Sequence, residues 1–412
     1  MCVVTVSSVG QTKTLCKGYL ACANVAFCFW IHGVLKTKLP KVGTTIFTTM
    51  SALAQQTGAL NLSQGFPDFE APQALREALG RHAMAGNNQY APMAGLLRLR
   101  EAVASSVLLH RGVAVDPETE ISIVPGATEG IFCCVQALVR PGDEVIMFDP
   151  AYDSYEPAVD LAGGRAIRLP LPAPEFQIDW DRFEQALSNK TRLVMINSPH
   201  NPCGTNLEPE ALQRLAEFAE RYDFYVCSDE VYEHLVFDGS HRSVLQVPGL
   251  RERSFAHFSF GKTFSVTGWK TGYCIAPADL TAELRKVHQY VAFVAVTPVQ
   301  HALADFMEAE PNYAFQLADE YRHRRDVFLN ALKGSRFTWT PSQGSFFQLL
   351  DYSAITDEPD TILCQRWTKE YGVASIPLTP FYETPPKSSY LRFCFAKTDS
   401  VLQEAAKRLC AI

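Results

Sequence analysis

No two cysteines in this 412-residue chain stand at the CxxC spacing of a zinc or thiol–disulfide motif, although the chain has twelve of them. Four (Cys2, Cys16, Cys22, Cys28) precede residue 30 and the rest are scattered, with Cys133 and Cys134 adjacent. That pattern argues against a disulfide framework and against a metal site, and it reads as a reduced, cytoplasmic chain with buried thiols. Basic clusters are also missing. With 37 Lys and Arg against 44 Asp and Glu the net charge is −7, so nothing offers nucleic acid an electrostatic footprint. There is no internal repeat and no low-complexity segment. What is present, 47% hydrophobic against 20% charged residues, suits a globular chain with a large core and more than one domain.

The first thirty-odd residues differ from the rest. "GYLACANVAFCFWIHGVL", residues 18–35, is apolar enough to suggest a signal or membrane segment, but Asn24 and His32 interrupt it and no small-residue cleavage site follows. Residues 1–38 are therefore expected to be an extension outside the fold, with no membrane partner. From Leu39 onward short apolar runs alternate with helical stretches, the signature of an α/β fold with a mainly parallel sheet. "EVIMFDP" (144–150), "RLVMINSPHNP" (192–202) and "DFYVCSDEVY" (223–232) read as buried strands that end in polar residues. "PEALQRLAEFAERYD" (209–223) reads as an amphipathic crossover helix. Past residue 300 a charged helical stretch (313–332) and strand-like "SFFQLLDYS" and "YLRFCFA" suggest a smaller α+β domain.

In open α/β sheets ligands bind beyond the carboxyl ends of the strands, which makes the polar ends of these runs the candidate site. "SFGKTFSVTGWKTGY" (259–273) carries two isolated lysines. Lys262 follows the expected strand "AHFSF" with "GKTF" turning out of it, where partial desolvation would lower its pKa and favour a neutral nucleophile, although a lone lysine there is usually a surface residue. "VPGATEG" (124–130) opens a helix whose free N–H groups, with the Thr128 hydroxyl, form an anion site, and Lys270 supplies a fixed cation for it. Asp229 closes a buried strand, where a carboxylate is costly without a partner; it is either a helix N-cap or the partner of a protonated pyridine nitrogen. Tyr232 and Asn201 are within sequence reach of a ring phenolic oxygen, and Tyr152 offers a face for stacking. Arg392, inside "YLRFCFA", fits a bidentate grip on a substrate carboxylate, with a core ion pair as the structural alternative.

Together these motifs resemble the fold-type I, class I/II pyridoxal-phosphate aminotransferases over about nine-tenths of the chain. "NLSQGFPDFEAP", "NNQYAPMAG", "INSPHNPCGT", "SDEVYEHLVFDG", "SFGKTFSVTGWKTGYCIAP", "HQYVAFVAVTPVQHALAD" and "IPLTPFY" are most similar to the methionine/kynurenine branch. The resemblance implies a large, mainly parallel αβα domain over 71–304 that binds pyridoxal 5′-phosphate, and a small α+β domain from 39–70 with 305–412. It also implies a homodimer with shared active sites and a ping-pong exchange between an amino acid and a 2-oxo acid. Lys262 corresponds to the Schiff-base lysine and proton shuttle; Asp229 to the pyridine partner; Asn201 and Tyr232 to the phenolic-oxygen contacts; and Tyr152 to the stacking ring. Ala127, Thr128, Ser259 and Lys270 correspond to the phosphate site, with Tyr90 reaching it from the neighbouring subunit, and Arg392 with the Gly65 backbone to the carboxylate site.

Two departures carry information. Many relatives have arginine where Lys270 stands, so the phosphate contact here is a point charge. Aspartate-specific relatives take a second arginine from the neighbouring subunit, yet from Val287 to Tyr321 this chain has no Arg or Lys. Neutral apolar or aromatic amino acids (methionine, kynurenine or phenylalanine) are therefore the expected donors. A carbon–sulfur β-lyase on cystathionine or cysteine conjugates is the alternative within the same fold. A cofactor-binding regulator needs a DNA-binding domain in front, for which the first forty residues are too short and apolar.

Overall fold

The computed structural model describes residues 36–387 and 389–412; the apolar stretch at 18–35 and the four N-terminal cysteines lie outside them. The chain divides into Met1–Lys38 and Leu39–Ile412, and the fold described below is that of the second unit. Among the described residues no helix is long and apolar enough to cross a membrane.

The core is a seven-stranded sheet of β1 (Ile121–Val124), β2 (Glu144–Asp149), β3 (Arg165–Pro170), β4 (Thr191–Asn197), β5 (Tyr225–Asp229), β6 (Ser254–Ser259) and β7 (Gly272–Ile275). Their spatial order is β1-β7-β6-β5-β4-β2-β3. Every neighbouring pair is parallel except those involving β7, which runs against both β1 and β6. The expected mainly parallel sheet is thus present with one reversed strand. A parallel strand in the middle of such a sheet is covered on both faces, and Val145–Asp149 and Leu193–Ile196 are buried throughout.

The crossover between β4 and β5 shows how local sequence sets these elements. The helix Pro209–Tyr222 starts with proline in its first turn, where the missing N–H is no loss, and ends at Asp223 in the left-handed region (φ 53). Leu212, Leu215, Ala216, Phe218 and Ala219 form its buried stripe. Truncating one such leucine to alanine costs about 2–5 kcal/mol.

A three-stranded antiparallel sheet follows, of β8 (Phe347–Asp351), β9 (Ile376–Pro377) and β10 (Tyr390–Cys394), with β10 in the centre. Leu60–Asn61 pairs in parallel with Val373–Ala374, which brings the segment after residue 60 to this sheet. The stretch read as one helix at 313–332 is a 3₁₀ turn, Tyr313–Gln316, leading into the helix Leu317–Ala331. "GKTF" does not simply turn out of β6: Phe260–Thr263 forms a single helical turn that carries Lys262.

Candidate active site

A cavity of about 320 Å³ opens beyond the carboxyl ends of β4, β5 and β6 and is closed on its far side by Phe347 and Arg392 of the three-stranded sheet. It brings together every candidate named from the sequence except Tyr90: Gly65, Ala127, Thr128, Tyr152, Asn201, Asp229, Tyr232, Ser259, Lys262, Lys270 and Arg392 all line it. Tyr90 stands apart at 82% exposure, with its ring edge-on to Phe293 at 5.4 Å.

Lys262 is held at the centre by its helical turn and donates from Nζ to the Gly65 carbonyl at 3.2 Å. A Cβ on Gly65 would stand 2.7 Å from Phe347 Cζ and displace that ring. The amine also faces the rings of Phe346 (5.2 Å) and Tyr232 (5.7 Å). Its side chain keeps a partly open face toward the cavity, but among the described residues no carboxylate pairs with the amine. Burial lowers its pKa to about 8, with the nearby Lys270 and Arg392 cations acting in the same direction.

Asp229, at the end of β5, accepts a 2.5 Å hydrogen bond from the Tyr155 hydroxyl on Oδ2, while the Val231 N–H approaches Oδ1 at 3.4 Å. Burial raises its pKa and the Tyr155 hydrogen bond opposes that rise. No helix follows this residue, so the N-cap reading of Asp229 is set aside. The anion cradle is the N-terminus of the helix Ala127–Leu138. Gly126 precedes it with φ 80, and no side chain caps the first N–H groups. Lys270, itself left-handed (φ 47), brings its Nζ to 3.3 Å from where a Cβ on Gly126 would sit. The cradle thus combines free N–H groups, a cation and a position closed to any side chain.

Arg392 lies mid-strand in β10 and is 1% exposed. Nη1 donates to the Asn201 side-chain oxygen and Nη2 to the Ser63 carbonyl, both at 2.8 Å, and the Phe347 ring covers the guanidinium at 3.9 Å. Its contacts are neutral, and Nε has no partner. Burial pushes its pKa down to about 10. The core ion pair weighed as the alternative does not form among the described residues; an unpaired buried guanidinium instead faces the cavity.

Sequence reasoning missed three contributors. Tyr155, three residues past Tyr152, is placed under Asp229 by the helix Tyr155–Ala162. Asn197 accepts from the Asn201 N–H and donates to the Asp229 carbonyl, both at 2.8 Å, and so fixes the turn that presents Asn201. Phe347 covers Arg392. The tyrosine spacing in "DPAYDSY" was the one available signal.

The model of the family "Aminotransferase class I and II" matches residues 57–409. The chain belongs to that family. Among its relatives, this aminotransferase is 50% identical over 375 residues to the methionine aminotransferase of Escherichia coli, covering 91% of this chain and 97% of that protein. It is 34% identical to the kynurenine–oxoglutarate transaminase of Dictyostelium discoideum, over 89% and 94% of the two chains. Among solved structures it is similar to an E. coli enzyme identified as a methionine aminotransferase, at a TM-score of 0.90 and 49% identity over 92% of this chain and all of that one. It is also similar to N-succinyldiaminopimelate aminotransferase from Mycobacterium tuberculosis, at a TM-score of 0.88 and 38% identity over 92% and 99%. Aminotransferases act on amino acids and 2-oxo acids, and this family generally depends on pyridoxal phosphate. The cavity of this aminotransferase fits that group. It offers an uncapped helix end beside an ammonium for a phosphate, a buried carboxylate for a ring nitrogen and a lysine of lowered pKa.

Proposed function

We propose that the enzyme transfers the amino group of a neutral apolar or aromatic L-amino acid, of the methionine, kynurenine or phenylalanine type, to a 2-oxo acid, with pyridoxal 5′-phosphate held in the cavity. The observation that carries this reading is the convergence of Lys262, Asp229 and Arg392 on one cavity, each from a different element. The N–H groups of Ala127 and Thr128, with Ser259 and Lys270, would hold the phosphate. Asp229 would face the ring nitrogen, Asn201 and Tyr232 the phenolic oxygen, and Tyr152 the ring plane. Pyridoxal phosphate supplies a carbonyl carbon that exchanges amino groups and a ring that draws electrons from the substrate Cα.

The chain does the rest. The Lys262 amine is neutral in a large share of molecules near pH 8, so Nζ is able to take the substrate Cα proton and return it elsewhere. Tyr155 keeps Asp229 oriented, and Arg392 with the Gly65 backbone takes the substrate carboxylate, which fixes the Cα beside Lys262. Phe47 and Phe347 add apolar walls to the cavity. The donor preference is supported by the relatives named above and by the lack of any Arg or Lys from Val287 to Tyr321.

Domains and assembly belong to the same proposal. Residues 71–304 form the large cofactor domain and 39–70 with 305–412 the small one, in keeping with the separation of the seven-stranded sheet from the two smaller sheets. Tyr90 reaches the phosphate site of a second copy in a homodimer. Tyr90, Tyr290, Val291, Phe293 and Val296 are 40–85% exposed, an apolar surface of the kind that a partner covers. A cytoplasmic setting accords with the free thiols among the described residues, all of them buried except Cys410.

The test is a donor series on the purified, cofactor-loaded protein, with visible absorbance and released products followed together. Methionine, kynurenine and phenylalanine should bleach the cofactor band and release their 2-oxo acids, with aspartate nearly inert. Aspartate as the best donor would defeat the substrate assignment. Ammonia and pyruvate from a sulfur-substituted amino acid, with no 2-oxo acid from methionine, would make the enzyme a lyase.

A further inference from the structure

The cysteine spacing reads against a metal site, but the fold groups donors that lie far apart in sequence. Cys134 of the helix Ala127–Leu138, Cys227 of β5 and His257 of β6 place one donor atom each within 4.8 Å of one another. All three are at most 1% exposed. No oxygen or nitrogen atom satisfies either ring nitrogen of His257, and the polar atoms that face this buried imidazole are the sulfurs of Cys227 and Cys274. We propose that Cys134, Cys227 and His257 form a buried zinc site.

The donor chemistry selects the ion. Two sulfurs and an imidazole, with no oxygen, favour a soft d¹⁰ cation over magnesium or calcium. Two thiolates and a neutral imidazole cancel the charge of Zn²⁺, so the loaded site is neutral and its burial is tolerable. Binding releases the two thiol protons. Cys274 stands opposite His257 in cross-strand register on β7, outside the three-donor group. The neighbouring group of Glu129, Cys133 and His288 differs in holding a carboxylate: the Cys133 thiol donates to Glu129 at 3.1 Å, and His288 Nδ1 lies 2.7 Å from the same oxygen. Adjacent on one helix, Cys133 and Cys134 therefore serve different clusters. The zinc site sits next to the catalytic wall, since His257 pairs in register with Asp229 and Cys227 precedes it by two residues. An ion there would tie together the helix that carries the anion cradle and the two strands that present Asp229 and Lys262.

The experiment uses the full chain, cofactor-loaded, expressed with zinc in the medium and dialysed against metal-free buffer. Mass-spectrometric metal analysis should find about one zinc per chain, falling below about a tenth in Cys227→Ala and in His257→Phe and unchanged in Cys133→Ala. Replacement by Co²⁺ should give a thiolate-to-cobalt charge-transfer band in the near ultraviolet. The wild-type metal content and cobalt spectrum decide the matter even if the variants fail to fold. A wild-type protein without zinc that takes up no cobalt into such a band would overturn the site. So would zinc that survives both cluster variants or leaves with Cys133→Ala.

Discussion

On the wall formed by the seven-stranded sheet, Asp229, Asn201 and Lys262 stand at or just past strand ends, where the chain leaves the sheet and polar groups turn toward the cavity. On the opposite wall Arg392 is in the middle of β10, 1% exposed, with an amide oxygen and a main-chain carbonyl as partners and an aromatic ring over it. Strand ends are an inexpensive place for polar groups in an α/β sheet. A guanidinium in the centre of a buried strand is not, and its neutral partners leave room for an anion from outside the chain. The first wall is chemistry placed where the fold permits it, and the second is a binding group kept at the fold's expense. Substitutions on the two walls should therefore separate turnover from substrate affinity.

The largest effect falls on the sheet-end wall. Lys262→Ala should lower turnover by at least about 10³-fold, the range lost with a positioned acid–base group, while the protein still takes up cofactor. Wild-type-like turnover in that variant would remove Lys262 from the chemistry. On the other wall, Arg392→Lys replaces a fork by a point charge. Steady-state kinetics should show KM for methionine rising by roughly 10²-fold, from about 1.5–3 kcal/mol per lost charged hydrogen bond, with cofactor affinity unchanged. An equal loss in cofactor affinity would erase the distinction between the walls.

Tyr155→Phe removes the donor to Asp229 and should weaken cofactor binding by roughly tenfold, about 1.5 kcal/mol, as read by titrating the cofactor-free protein. Lys270→Met should cost less, within about 1 kcal/mol, because this ammonium is exposed and screened while the helix N–H groups remain. The pH dependence isolates Lys262. Its pKa of about 8 lies below the ordinary 10.5, so the nucleophilic neutral amine grows in as pH rises through 8. Cofactor uptake by the cofactor-free protein should accelerate with a midpoint near 8. The sign for stability is the same. The unfolded chain holds this proton up to about 10.5, so the cofactor-free fold gains stability between those two pH values.

Much of this architecture is legible in the residues. The buried runs at 144–150, 192–202 and 223–232 contain the strands Glu144–Asp149, Thr191–Asn197 and Tyr225–Asp229, and the 209–223 stretch contains the crossover helix. The polar ends of the second and third runs line the cavity, whereas Asp149 of the first pairs with Arg168 instead. What stays hidden depends on register and on approach in space. The reversal of β7 is invisible because "GYCI" is equally apolar in either direction. Tyr155 reads as an ordinary aromatic until β5 and its helix set it 2.5 Å from Asp229. Asn197 looks like the last residue of a strand, and its two hydrogen bonds to the 201 and 229 segments exist only once both are folded. Cys134, Cys227 and His257 are separated by 93 and 30 positions, so no spacing rule groups them.

The assignment of roles to the two lysines at 262 and 270 is tested most directly by chemical trapping. Borohydride added to the cofactor-loaded enzyme fixes the cofactor to whichever amine holds it, and peptide mass spectrometry then locates the added mass. The expected result is a single modified peptide carrying the label on Lys262. A label on Lys270, or no covalent label in a protein that binds the cofactor, would contradict it.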